Sequence, residues 1–276
     1  MTLENPLRNY FRRPALYLTL PSKGQGYPAG SIEMPDNGEL PVYPMTAIDE
    51  ITTRTPDALY NGQAVVELIR SCVPSIKDPW KLPQVDLDPV LLAIKIATNG
   101  NQMEIETTCP ECKEPSRYDI NLTGMLSNFK PGNYNELLKV DDVVQVKFKP
   151  LDYARINSAS QQQFDVQRAL VIIDNIEDNK DKEEKTNGLI KEMTEMAMQL
   201  VIDTIEFVKT PEATVFDKEH VKEFLSNVPI KTYEKIRDHT ITLKQSTETK
   251  PLEFTCPSCT NAYKQPFNIN VSDFFV

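Results

Sequence analysis

The sequence contains no long uninterrupted apolar run. A membrane-spanning helix needs roughly 18 consecutive apolar residues, and no segment of this 276-residue chain approaches that length. Its first residues, MTLENPLRNYFRRP, also lack the apolar centre of a secretory signal peptide. We therefore expect a protein without a membrane span that is intracellular when it is made.

The chain also contains few histidines and lacks several common catalytic motifs. Its two histidines, His220 and His239, lie in polar helical contexts, where surface or capping roles are commoner than base or ligand roles. A phosphate loop, a GxSxG elbow and an HExxH motif are absent from the sequence. The acidic residues are plentiful but dispersed, and they single out no carboxylate pair. The sequence thus predicts no catalytic residue and no organic cofactor site.

Positive charge is scarce and concentrated in one place. The chain has 30 Lys and Arg against 40 Asp and Glu, which gives a net charge of -10. Nucleic-acid binding rests on clustered basic residues that neutralise phosphates. Only Arg8, Arg12 and Arg13 form such a cluster, beside Tyr10 and Phe11. We interpret this segment as a protein contact or a solvated arm, and we expect no nucleic-acid partner.

The five cysteines form two CxxC pairs and one single residue. The first pair is Cys109 and Cys112 in the segment CPEC, and the second pair is Cys256 and Cys259 in the segment CPSC. In a reducing compartment such pairs are metal ligands more often than disulfides. Cys72 lies in the apolar segment AVVELIRSCVP, where we expect it to be a small buried side chain.

Both CxxC pairs belong to an internal repeat. ETTCPECKEPSRYDINL and EFTCPSCTNAYKQPFNINV share the Cys-Pro-x-Cys knuckle and a later Ile-Asn-aliphatic run. Each tight turn lets two thiolates reach one metal, and two turns supply the closed tetrahedral coordination of a structural zinc ion. We predict one structural Zn2+ per chain, with the ligands Cys109, Cys112, Cys256 and Cys259. Because residues 113–255 separate the knuckles, the intervening segment must be an insertion whose ends lie side by side.

Other interpretations of the cysteines stay open at this stage. A redox CxxC pair usually lies where a strand runs into a helix N-terminus, which lowers the pKa of a thiol, whereas polar turn residues follow both pairs here. An iron–sulfur cluster also takes four thiolates. The alternative functions are therefore a zinc-ribbon nucleic-acid-binding factor and a thiol–disulfide redox protein.

Hydrophobic patterning predicts an α+β fold with a mixed N-terminal domain, a helical insertion and a four-cysteine zinc ribbon made of two distant knuckles. Short β-like runs and frequent turns predict a β-rich N-terminal arm over residues 1–45. Residues 46–102 read as a helical unit, and residues 103–150 as the first knuckle hairpin and a further strand. Residues 151–250 read as the helical insertion, and residues 251–276 as the second knuckle hairpin.

Several element boundaries can be predicted from local signals. Thr46 and Asp49 match a capping box, and a further helix is expected after Pro56. Asp88 followed by Pro89 predicts a helix start with proline at its first position, and Asn99-Gly100 predicts its end. Within the insertion, helical spacing predicts two packed amphipathic helices with these buried-face candidates: Ile156, Phe164, Leu170 and Ile173 in the first, and Ile190, Met193, Ala197, Leu200, Val201 and Thr204 in the second.

Two environments are possible for the apolar residues of the N-terminal arm. They are Tyr10, Phe11, Leu16, Tyr17 and Leu18. In the first interpretation they dock on a neighbouring subunit, at a sheet edge or in a groove. In the second they pack into the chain's own core. The sequence does not decide between these interpretations.

A series of linked motifs runs through the first half of the chain. In order, they are LPSKGQGYP, YPMTAIDEI, TPDALYNGQAVVELIRSCVPSIKDP, DLDPVLLAIKIATNG and MEIETTCPEC. The match that these motifs carry covers roughly residues 14–122, and VKFKPLDYAR matches more weakly. This series resembles the baseplate hub family of T-even-type contractile-tailed bacteriophages (myophages). The resemblance implies a non-enzymatic hub subunit or assembly protein whose partners are other baseplate and tail proteins. It also implies assembly in the host cytoplasm and a final location in the virion tail baseplate.

Overall fold

The structure is a computed structural model that describes residues 5–55, 60–175, 178–267 and 269. The chain mixes helices with antiparallel strands, so the predicted α+β class is confirmed. It divides into two compact units: the first draws on residues 1–82, 86–130 and 248–276, and the second on residues 83–85 and 131–247. The beginning of the helix expected after Pro56 and the end of the second knuckle hairpin lie outside the described residues.

The strands pair in three hairpins and one larger sheet. β1 (Leu16–Thr19) pairs with β2 (Glu39–Val42), β3 (Gln102–Thr108) with β4 (Pro115–Asn121), and β9 (Leu252–Thr255) with β10 (Ala262–Gln265). The four-stranded sheet has the order β5 (Leu137–Lys139), β6 (Gln145–Phe148), β7 (Ile205–Lys209) and β8 (Thr214–Val215). The α-helices include α1 (Ala47–Thr53), α2 (Gln63–Cys72), α3 (Gln84–Asn99), α4 (Leu122–Leu126), α5 (Tyr153–Asp174), α6 (Asn179–Thr204), α7 (Lys218–Asn227) and α8 (Ile230–Thr247).

Two of the predicted helix ends are confirmed by their hydrogen bonds. The Thr46 side chain accepts from the N–H of Asp49, and the Asp49 carboxylate accepts from the N–H of Thr46, so both halves of the capping box before α1 are present. Helix α3 ends before Gly100, which has a φ of 90° and donates its N–H to the carbonyl oxygen of Ile96. That left-handed conformation is easy for glycine, which explains why it follows the helix.

The predicted start of helix α3 is wrong. The helix begins at Gln84, before the proposed cap Asp88, and Pro89 lies inside it. The N–H of Gln84 donates to the carbonyl oxygen of Leu151 at 2.8 Å, which gives this helix-starting amide a partner far away in the sequence. Asp-Pro is a common start signal because proline lacks an N–H, but a tertiary hydrogen bond moves the actual start upstream.

The predicted N-terminal arm contains both buried and exposed apolar residues. Leu18 on strand β1 is 3% exposed and faces Leu40 across the hairpin. Tyr10, Phe11 and Tyr17 are 85%, 57% and 61% exposed. Leu18 therefore packs into the chain's own core, which was the second of the two interpretations. The three aromatic residues do not pack into the core.

A buried carboxylate connects the segment after β1 to helix α3. Asp86 is fully buried and accepts hydrogen bonds from the N–H of Ser22 at 2.9 Å, its hydroxyl at 2.5 Å and the hydroxyl of Tyr27 at 3.1 Å. Burial raises the pKa of Asp86, while the hydrogen bonds from Ser22 and Tyr27 act in the opposite direction. One buried carboxylate is thus the hydrogen-bond acceptor of three donor groups.

Replacing Asp86 with alanine is expected to lower the free energy of unfolding by about 2–4 kcal/mol. The reason is that the substitution leaves the buried N–H and hydroxyl donors without their acceptor, and each orphaned group costs about 1–3 kcal/mol. Thermal or denaturant unfolding of the full chain measures the change. Asp119→Ala, at an exposed position of β4, is the control and should stay within about 0.5 kcal/mol of the wild type. Equal effects of the two substitutions would contradict the assigned role.

The core of the second unit lies around strand β6. Val146 and Phe148 are buried, and Val144 packs partly buried against the same cluster. The cluster takes its other buried residues from β7 and helices α6, α7 and α8: Val201, Ile202, Ile205, Val208, Val221, Leu225, Ile236 and Leu243, with Val140 from the β5–β6 turn. Helices and sheet therefore share one apolar core in this unit.

Helices α5 and α6 pack against each other as predicted, but their buried faces are narrower than the sequence indicates. Val166, Ile173 and Leu189 form the small buried cluster, with Ala169 and Met196 at its edge. The prediction was therefore correct for Ile173, as it was for Val201 and Thr204. It was wrong for a set of apolar residues that are exposed: Phe164, Leu170, Ile190, Met193 and Ala197. A helix covered along one narrow stripe leaves its flanking apolar residues in contact with solvent.

Candidate metal centre

Each CxxC pair lies in the turn of a β-hairpin. In the first hairpin, β3 and β4 pair from Gln102↔Asn121 to Thr108↔Pro115. In the second, β9 and β10 pair from Leu252↔Gln265 to Thr255↔Ala262. The strand–knuckle–strand pattern predicted for both repeats is therefore confirmed over the described residues. Because both hairpins belong to the first unit, residues far apart in the sequence can form one site.

The first knuckle is a tight turn that is closed by two backbone hydrogen bonds. The N–H of Cys109 donates to the carbonyl oxygen of Glu114 at 3.1 Å, and the N–H of Lys113 donates to the carbonyl oxygen of Cys109 at 3.0 Å. Lys113 has a φ of 61°, a conformation that costs a non-glycine residue free energy and persists only where its surroundings require it. The turn thereby bends the backbone around the first sulfur.

The second knuckle repeats this geometry. The N–H of Cys256 donates to the carbonyl oxygen of Asn261, and the N–H of Thr260 donates to that of Cys256, both at 2.9 Å. Thr260 has a φ of 58°, which is the same left-handed conformation that Lys113 adopts at the equivalent position. The repeat seen in the sequence is therefore also a repeat of backbone structure.

The structure brings the four predicted ligands together. Their sulfur atoms all lie within 4.8 Å of one another, with 3.7 Å between Cys109 and Cys259 and 3.6 Å between Cys112 and Cys256. Four sulfurs at about 2.3 Å from a tetrahedral zinc ion lie about 3.8 Å apart, whereas a disulfide joins two sulfurs at about 2.05 Å. The cluster thus has the dimensions of a four-thiolate metal site.

Backbone amides prepare one sulfur of each knuckle for the thiolate form. The N–H groups of Cys112 and Glu111 donate to the sulfur of Cys109, and the first of these contributes most to lowering its pKa to about 6. In the second knuckle the N–H of Cys259 has the same role and lowers the pKa of Cys256. Because the thiolate is the form that binds a metal, both turns favour coordination.

The second sulfur of each knuckle behaves differently in the absence of a cation. The N–H of Asn261 donates to Cys259 and lowers its pKa, but burial and the other three sulfurs outweigh this effect and raise the pKa to about 12. The N–H of Glu114 and the sulfur of Cys259 lower the pKa of Cys112, but burial and the sulfurs of Cys256 and Cys109 outweigh them, so this pKa is also raised. Four thiolates cannot share so small a volume uncompensated, and a bound cation stabilises all four in the ionised form.

Aromatic side chains join the two hairpins beside the sulfur cluster. The rings of Tyr118 and Phe254 lie 4.7 Å apart, and the Tyr118 hydroxyl donates to the carbonyl oxygen of Thr255 at 3.1 Å. The hydroxyls of Thr107 and Tyr263 are 2.5 Å apart. These contacts join the two hairpins through groups other than the four sulfurs. Sequence reasoning missed them, although all three aromatic residues lie within the repeated segments.

The remaining cysteine and the histidines lie away from the cluster. Cys72 is buried at the end of α2, as predicted, and burial raises the pKa of its thiol to about 12. His220 is exposed beside Asp217 at the start of α7, and the ring of His239 packs 5.0 Å from that of Phe148. None of the helices in the described part of the chain combines the length and apolar character that a membrane span requires.

Fold and site together define an α+β protein with a four-thiol centre shared by two hairpins. The family model described as T4 bacteriophage base plate protein matches residues 31–276. The chain therefore belongs to this family of phage baseplate structural proteins, which places it in the virion tail baseplate among other phage tail proteins. No curated protein and no solved structure matches the chain.

Proposed function

We propose that this chain is a non-enzymatic subunit or assembly protein of the hub region of a contractile phage tail baseplate, stabilised by one structural zinc ion. The observation that carries the proposal is the cluster of four sulfurs within 4.8 Å of one another, in a chain of the baseplate family. The ligands would be Cys109, Cys112, Cys256 and Cys259.

Zinc is the metal that this donor set fits best. Soft thiolate ligands in tetrahedral arrangement are typical of zinc and of iron–sulfur clusters, and four cysteines on two knuckles are typical of structural zinc. When four protein ligands occupy a tetrahedral ion, no position is left for a water molecule that could act as a nucleophile. The site therefore supports a structural role and not a hydrolytic one.

The hub assignment is supported by the motif series of residues 14–122, which resembles hub proteins of T-even-type phages. Assembly in the reducing cytoplasm of the host keeps the cysteines available as thiolates. Both knuckles belong to the first unit, whereas residues 131–247 between them belong to the second unit. In this proposal the metal links the two ends of this intervening segment. The partners are other proteins of the baseplate and tail.

Purified full-length protein is expected to contain about one zinc ion per chain, because four thiolates satisfy one tetrahedral ion. Elemental analysis by mass spectrometry measures the metal content. Cys72→Ser is the matched control, since Cys72 is also buried but lies outside the cluster, and it should retain the metal. A metal-free preparation that is folded and monodisperse would contradict the zinc part of the proposal.

The hub part has a separate test. Labelling the chain with a small tag and imaging isolated baseplates should locate it on the central axis of the particle. A position at the periphery of the baseplate would contradict the hub assignment and leave the metal centre unaffected.

A further inference from the structure

Five large apolar side chains are exposed on two neighbouring segments of the first unit. Leu7, Tyr10 and Phe11 belong to the N-terminal segment and are 60%, 85% and 57% exposed, while Ile48 and Ile51 of helix α1 are 75% and 68% exposed. Single exposed apolar residues are ordinary, but a group of this size marks an interaction site. We call these five residues the arm patch.

An arginine holds the two segments of the arm patch together. Arg12 donates from Nη1 to the carbonyl oxygen of Pro44 at 2.6 Å and to Oδ2 of Asp49 at 3.3 Å. Its Nη2 donates to the carbonyl oxygen of Ser71 at 2.8 Å. Because Arg12 follows Phe11 and Asp49 follows Ile48 in the chain, these bonds hold the N-terminal segment next to the segment that carries helix α1.

The charge of this surface is opposite to that of the chain as a whole. Residues 5–15 contain three arginines and no acidic residue, in a chain of net charge -10. On helix α1, Asp49 pairs with Arg12, and Glu50 pairs with Arg54 at 2.7 Å. Arg13, the residue after Arg12 in the chain, is exposed. The arm patch is therefore apolar with a positive rim.

We propose that the arm patch docks an acidic amphipathic segment of a different baseplate protein. Arginine binds carboxylates in fork geometry, and exposed aromatic and aliphatic side chains accept the apolar face of a helix or strand. A second copy that met the patch with its own patch would bring arginine against arginine, which is unfavourable. The match to the family model begins at residue 31. Helix α1 therefore lies within the matched range, and the N-terminal segment of the arm patch lies outside it.

A photo-crosslinking residue in place of Tyr10 in the full-length chain, assembled into baseplates, tests the proposal. The expected product joins position 10 to one other baseplate protein, within a segment that has an acidic face and an apolar face. The same crosslinker at Ile230, which is 67% exposed in the first turn of α8, is the control and should not yield that product. A crosslink to a second copy of the chain, a target segment without carboxylates, or equal yields from both positions would overturn the proposal.

The role of charge is tested by Arg13→Glu in the chain that carries the crosslinker. Because a reversed charge faces the carboxylates of the partner, the crosslink yield should fall about tenfold while Arg13→Lys retains most of it. Arg13 is exposed, so the melting temperature of the free chain should be unchanged, which separates loss of docking from loss of folding. An unchanged yield with Arg13→Glu would refute the acidic partner.

Discussion

Replacing Cys256 with serine is expected to release the metal and to loosen both knuckle hairpins, although Cys109 and Cys112 are unchanged. Metal binding contributes directly to folding free energy, by about 10–16 kcal/mol for structural zinc in isolated finger peptides. In this protein that free energy would stabilise the contact between the two knuckles, which lie at the ends of the intervening segment. Metal analysis and hydrogen exchange of the amides in β3, β4, β9 and β10 measure the two effects.

The control for this experiment is Cys72→Ser, which should keep both the metal and the protection of the hairpin amides. Tyr118 contacts Phe254 and Thr255 of the other hairpin through groups that are not metal ligands. After loss of the metal, the hairpins should therefore become mobile without unfolding the first unit. An ordered and fully protected pair of hairpins after Cys256→Ser would contradict the structural role of the site.

Chelation of the wild-type protein distinguishes a site within one chain from a site between chains. The structure places all four sulfurs in one chain, so removal of the metal should leave the mass in solution unchanged. Light scattering with and without a chelator measures it. If the chelator dissociates an oligomer into monomers, the first knuckle of one chain binds the metal together with the second knuckle of another.

Replacing Phe148 with alanine is expected to lower the free energy of unfolding of the second unit by about 3–5 kcal/mol. Phe148 is 1% exposed at the end of β6 and belongs to the core cluster of this unit. Truncation removes the burial of the ring and leaves a cavity that the surrounding helices fill only in part. Denaturant unfolding measures the change, and Phe11→Ala, at a 57% exposed position, should stay within about 0.5 kcal/mol.

The same substitution should change the titration of His239, whose ring packs against Phe148. Burial lowers the pKa of His239 below its ordinary value of 6.5. A lowered histidine pKa means that the unfolded chain binds the proton more readily, so this residue reduces stability as the pH falls below 6.5. In Phe148→Ala the pKa, measured by NMR, should rise toward 6.5. An unchanged value would contradict burial against Phe148 as the cause.

Local features of this protein were determined by its sequence alone. The capping box of Thr46, the glycine after helix α3 and the two knuckle hairpins each depend on side chains only a few residues apart. The repeated Cys-Pro-x-Cys turn indicates the candidate ligands for the same reason, since its amides and sulfurs belong to neighbouring residues. Such features are predictable because their hydrogen bonds form wherever the segment lies in the fold.

Only the tertiary structure decided which distant residues meet. The Gln84 amide starts helix α3 early because it has Leu151 as a partner, and Phe164 is exposed because α6 covers only a narrow stripe of α5. Nothing in the sequence pairs Arg12 with Asp49, or Tyr118 with Phe254. The proximity of the two knuckles is of the same kind: short-range patterns specify each turn, but long-range packing brings four sulfurs within 4.8 Å of one another.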